Sequence, residues 1–106
     1  MTLDQLAAWA AGQADGLAAQ KGLQDDGDLF LALQNSKLGE EAGELQGAVL
    51  AYLNYQRDHK LDGFSTADVA SEVADVVICA AILAARTGVD LGAALADKIE
   101  KVSRYV

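Results

Sequence analysis

Proline is absent from all 106 residues, so no position forces a helix to stop or kink by losing a backbone donor. Stretches that alternate polar and apolar residues are missing too, which argues against strands. The single cysteine, Cys79, excludes an intrachain disulfide and suits a reducing compartment. Basic residues are scarce, 8 Lys and Arg against 16 Asp and Glu. The resulting formal charge of −8 and isoelectric point of about 4.3 run opposite to the footprint of proteins that neutralise a phosphate backbone. Nucleic-acid polymers and anionic membrane surfaces are therefore not expected as partners. A small phosphorylated substrate stays open, provided cations sit between the protein and the phosphates. The first ten residues carry Asp4 and no basic residue, so they do not read as a signal peptide, and a cytoplasmic location is expected. The longest apolar stretch, Val69 to Ala85, has 14 of its 17 residues from Ala, Val, Ile, Leu and Cys, but Glu72 and Asp75 interrupt it. A membrane span needs about 20 predominantly apolar residues and tolerates such acids poorly.

What is present is helix-forming sequence, 52% hydrophobic, punctuated by ten glycines that fall partly in clusters. The expectation is one all-α domain over residues 1–106, folded as a four-helix bundle. A first helix runs from Thr2 to Gln20, with Thr2 and Gln5 as a capping box and Leu3, Leu6, Ala10 and Leu17 as its apolar stripe. The segment 21–27 is a loop. A second helix starts with Asp28 as N-cap and runs to Asp58 or Lys60, with Leu31, Leu38, Ala42, Leu45, Val49, Tyr52 and Leu53 on one stripe. Residues 61–64 break the pattern, and Ser65 or Thr66 caps a third helix that ends near Arg86. After the break at 87–89, Asp90 caps a last helix, Leu91 to about Tyr105.

Only five glutamates occur, and Glu40, Glu41 and Glu44 fall within five residues of the second helix. At about 100° per residue, Glu41 and Glu44 project side by side and border the apolar stripe, with Gln34 and Lys37 on the same face. The third helix repeats the spacing: Glu72 and Asp75 are its only charged residues between Asp68 and Arg86. Two carboxylates on an apolar face lose hydration and repel each other, a cost of several kcal/mol unless something positive meets them. Lys37 can neutralise one charge. Four carboxylates from two facing helices leave an excess, and hard oxygen donors in that number suit Mg²⁺ or Mn²⁺. The competing interpretation is a solvated acidic helix face, which explains Glu40, Glu41 and Glu44 well but Glu72 and Asp75 poorly.

Residues 37–45, KLGEEAGEL, followed by SEVADVV at 71–77, resemble the Glu-x-x-Glu and Glu-x-x-Asp signature of the all-α nucleoside triphosphate pyrophosphohydrolases, the MazG-like superfamily. Residues 88–101, GVDLGAALADKIEK, are similar to the last helix of MazG-like and dCTP pyrophosphatase relatives, and together the likeness covers Asp28 to Tyr105. The resemblance implies a helical bundle that assembles as a homodimer or homotetramer. It implies Mg²⁺, with Mn²⁺ as a substitute, held by Glu41, Glu44, Glu72 and Asp75. It also implies hydrolysis of an NTP or dNTP to the monophosphate and pyrophosphate, as nucleotide-pool housekeeping. The sequence departs from relatives at Val102, where many carry an asparagine, so sugar or phosphate contacts near the C-terminus lose support.

Glu40 is a candidate catalytic base or orienting residue for the attacking water, beside Glu41; its other reading is a plain surface glutamate. Lys37 either contacts phosphate or pairs with Glu41 at i, i+4. Lys98, Lys101 and Tyr105 share one face of the last helix and are candidates for closing over phosphates, against a reading as solvated charges near a helix C-terminus. Trp9 and Phe30 are candidates for base stacking, with a core or interface position the alternative for Trp9. Cys79 reads as a small buried hydrophobe. His59 has no metal-ligand companion, and no P-loop is present. Two other functions fit the same residues: phosphoribosyl-ATP pyrophosphohydrolase, a relative of similar length, and a non-enzymatic helical oligomerisation or partner-binding module.

Overall fold

The computed structural model describes the backbone of residues 1–58 and 66–105, and the side chains of residues 1–54 and 67–105. The described residues form four helices and no strand: α1 Leu3–Gln20, α2 Gly27–Asp58, α3 Thr66–Arg86 and α4 Leu91–Ser103. The expected break at 61–64, a cap at Ser65, an α2 end at Lys60 and His59 lie outside the described residues. No helix among them is long and apolar enough to cross a membrane.

Helix ends follow the sequence closely. Thr2 Oγ1 accepts from Gln5 N at 3.1 Å while Thr2 N donates to Gln5 Oε1 at 2.8 Å, which completes the expected capping box. α1 stops at Gly22, whose φ of 68° suits a residue without Cβ. There Gly22 N donates to Ala19 O and Leu23 N to Ala18 O, the paired bonds of a Schellman motif. Gly88, φ 71°, ends α3 in the same way, with Gly88 N donating to Ala85 O and Val89 N to Ala84 O. Asp90 caps α4, accepting from Ala93 N at 3.0 Å.

Two ends are corrected. The α2 cap is Asp26, not Asp28: Asp26 Oδ1 accepts from Leu29 N at 3.0 Å, so Gly27 already lies inside the helix. Asp28 then falls in the first turn, where its charge meets the positive end of the helix dipole. α4 ends at Ser103 rather than Tyr105, a fraying of the last turn.

The chain divides into two compact units, one of Met1–Ala32 with Ala81–Val106, the other of Leu33–Ala80. In the first unit α1 contacts α4. Its buried apolar residues are Leu6, Ala10, Ala14 and Ala18 of α1, Phe30 of α2, and Ala81 and Ile82 of α3. The α1 stripe is thus built on alanines at i, i+4 steps, while Leu3 is 44% exposed and Leu17 half-buried. Arg86 joins three segments of this unit: Nη1 lies 3.4 Å from Asp15 Oδ1, Nη2 donates to Ala14 O at 3.5 Å, and Cζ sits 4.8 Å from the Phe30 ring centroid. α4 buries none of its residues.

In the second unit the buried residues are Gln34, Glu41 and Ala48 of α2 and Cys79 of α3. The three α2 positions recur every seven residues, so they form one line along the helix. That line is rotated by about 70° from the leucine-centred stripe expected from sequence, taking ~100° per residue. Leu38, Ala42, Leu45 and Tyr52 flank it half-buried, Val49 and Leu53 are exposed, and Leu31, half-buried, belongs to the first unit. A glutamine and a glutamate therefore occupy the deepest line of α2 in this unit.

Candidate metal centre

Helical spacing makes the site. Glu41 lies on the inner line of α2, and Glu72 and Asp75, three residues apart on α3, project from one side of that helix. One carboxylate oxygen from each of the three lies within 4.8 Å of the other two. Glu41 is only 7% exposed, and Glu72 and Asp75 are half-buried. Lys37 Nζ reaches Glu41 Oε1 at 3.0 Å and Glu40 Oε2 at 3.9 Å. The i, i+4 pairing of Lys37 with Glu41 is thus formed.

Lys37 leaves the cluster underprovided. Glu41 Oε2 and Glu72 Oε2 are both buried without a hydrogen-bond partner. An ionised oxygen shut away from water and from every donor loses its solvation uncompensated, which costs on the order of several kcal/mol for an isolated ion. Glu44, on the exposed side of α2, belongs to the same electrostatic group though not to the three converging oxygens. Its carboxyl is pushed above the ordinary range, first by the charge of Glu41, then by a hydrogen bond shared with Glu41, with Glu72 and Glu40 adding to it. Cys79 is buried; desolvation, then the charge of Glu41, pushes its thiol pKa up, which disfavours the thiolate. It is no nucleophile in this setting.

The donor set fits a hard divalent cation. Oxygens around Mg²⁺ at about 2.0–2.1 Å sit up to ~4.2 Å apart, close to the spread of these three. Two orphaned oxygens would gain the partner they lack, and no soft or imidazole donor belongs to the converging group.

The remaining candidates fall as follows. Gln34 is buried two turns before Glu41 on the same line, and Glu40 is exposed beside Lys37. Trp9, Phe30, Lys98, Lys101 and Tyr105 belong to the first unit. Phe30 is 1% exposed and carries Arg86 over its ring, so it serves as a core side chain there. Trp9 is 44% exposed, Tyr105 90%, and Lys98 and Lys101 are exposed. The Arg86 contacts were not legible from sequence, because nothing in the spacing of residues 15, 30 and 86 links them. No protein-family model, curated protein or solved structure matches the chain.

Proposed function

We propose that this protein is a Mg²⁺-dependent nucleoside triphosphate pyrophosphohydrolase of the MazG-like type, with Mn²⁺ able to substitute. The observation that carries the reading is the convergence of Glu41, Glu72 and Asp75 with two buried, unpartnered oxygens among them. Glu41, Glu72 and Asp75 would hold the ion, with Glu44 as an additional acidic group. A bound divalent ion supplies charge neutralisation of the phosphates and acidification of a water, which a chain of net charge −8 otherwise cannot offer.

The protein's own residues divide the remaining work. Lys37, half-exposed beside Glu41, would meet a phosphate oxygen of the substrate. Glu40, beside it, accepts the proton of the attacking water, whose oxygen joins the α-phosphorus as pyrophosphate departs. The chain acts as a homodimer or homotetramer, supported by exposed Leu50 (62%), Ile99 (61%) and Val102 (52%).

Purified protein incubated with a panel of NTPs and dNTPs, with and without Mg²⁺, should release pyrophosphate only with the ion. Orthophosphate as the first product rules out this reaction class. Turnover confined to phosphoribosyl-ATP would move the assignment to histidine synthesis, and turnover of nothing would leave a binding module.

A further inference from the structure

We propose that Lys37 is the built-in counter-cation of the carboxylate cluster, competing with a divalent ion for Glu41 and freed for phosphate when that ion arrives. The inference rests on the reading of Glu41, Glu72 and Asp75 as a cation site and adds a direction to it.

Three observations carry the inference. Among the described side chains of residues 33–80, Lys37 is the sole Lys or Arg, and it lies directly against this cluster. Its ammonium lies 3.0 Å from Glu41 Oε1, on a carboxylate whose side chain is only 9% exposed, while the lysine side chain itself is 50% exposed. Glu41 is thus held from the water side by a charge that can leave, and its other oxygen, Oε2, is held by nothing.

The one ammonium of Lys37 cannot balance Glu41, Glu72 and Asp75 together, and it leaves Glu41 Oε2 and Glu72 Oε2 without a partner, so Lys37 steadies the site without satisfying it. A divalent ion drawn to the same oxygens meets the ammonium as a like charge. Lys37 has a flexible four-carbon stem and strongly hydrated head, and it can swing off Glu41 at little cost. It then presents its charge to an anion beside the loaded site. Ion loading and phosphate binding become linked through this one side chain, each easing the other as reciprocity requires.

This makes a prediction opposite in sign to that of a residue that merely orients Glu41. Mn²⁺ is titrated calorimetrically at low ionic strength into the full chain, as wild type and as Lys37→Met, Lys37→Gln and Lys37→Arg, with circular dichroism to confirm helix content. Both neutral variants should bind Mn²⁺ about five- to tenfold more tightly than wild type, the size expected for a half-exposed unit charge one side chain away, and Lys37→Arg should match wild type. Inorganic triphosphate added to the Mn²⁺-loaded proteins should bind about tenfold more weakly to the neutral variants, which lack a phosphate-facing charge. If wild type binds Mn²⁺ and the neutral variants bind it equally or less tightly, the counter-cation role is overturned while the metal site stands. Unchanged triphosphate binding overturns the handover to phosphate. If wild type takes up no Mn²⁺, or Glu41→Gln takes it up equally well, the metal site itself is wrong and the inference goes with it. Lys37→Gln keeps a hydrogen-bond donor for Glu41, so the test survives misfolding of Lys37→Met.

Discussion

Glu41 on α2 and Glu72 on α3 bring carboxylate oxygens within 4.8 Å of each other, and each keeps its Oε2 buried without a hydrogen-bond partner. Two such groups are an unfavourable way to fill a protein interior. Apolar residues of similar volume would stabilise the unit better, so the pair makes physical sense as a site held ready for a positive guest.

Glu72→Gln removes one of the repelling charges while preserving shape. Without metal it should leave stability unchanged or raise it by about 1 kcal/mol, because one uncompensated charge is gone. With Mg²⁺ it should lose the ligand-induced rise in Tm, and pyrophosphate release should drop by a factor of about 100 or more. Calorimetric melts with and without Mg²⁺, beside the turnover assay, check both halves. A Glu72→Gln protein that still gains stability from Mg²⁺ contradicts the assignment.

Glu44 gives the site a pH dependence. Its pKa is raised in the folded chain, chiefly by Glu41, so the native state binds this proton more tightly than the unfolded chain does. The contribution to stability is full below the ordinary glutamate pKa and is lost as pH rises through the elevated value. In metal-free protein Glu44's share of the stability should therefore fall from acidic pH towards neutrality, and Glu44→Gln should remove that share. Saturating Mg²⁺ should reduce it too, by screening Glu41 and Glu72. Urea melts across that pH interval read the slope of stability with pH; an equal slope in Glu44→Gln would show that other groups govern it.

Much of this was legible in the sequence, for identifiable reasons. Thr2, Gly22, Gly88 and Asp90 mark helix ends through local hydrogen bonds and backbone freedom, which a short window contains. The i, i+3 pair Glu72 and Asp75 stood out because its helix is otherwise apolar. The α2 cap was misread because Asp26 and Asp28 are equally good caps by type, and only the bond to Leu29 N separates them. The inner line of α2 was misread because leucine spacing was taken as the guide to burial. Gln34 and Glu41 are held inside by tertiary contacts that hydrophobicity does not announce. Arg86 over Phe30 belongs to the same kind: a contact across 56 residues leaves no periodic trace.

Arg86 should matter to stability far more than its exposed partner does. The ion pair reaches Asp15, whose side chain is 80% exposed, and such pairs are worth about 0–1 kcal/mol. The contacts over the buried Phe30 ring and to the Ala14 carbonyl are drier, so Arg86→Ala should cost roughly 1–3 kcal/mol. Asp15→Ala should cost about 0.5 kcal/mol or less. Denaturant melts of the two variants rank them, and equal losses would locate the stabilisation in the ion pair.

The last expectation concerns α4. Leu95, Ile99 and Val102 recur at i, i+4 and i+7, so they form one stripe, yet they are 37%, 61% and 52% exposed and the helix buries no residue. Burying a side chain of this size is worth about 1.5–3 kcal/mol, a strong incentive for a second copy to cover the stripe. Sedimentation should accordingly give a multiple of the 11.1 kDa chain mass. Ile99→Glu, which places a charge in mid-stripe, should shift the distribution towards the single chain while circular dichroism keeps its helical signal. If wild type already sediments at the mass of one chain, the stripe is no contact between copies. If wild type is larger and Ile99→Glu sediments unchanged, the copies meet through another face, with the exposed Leu50 on α2 the next position to charge.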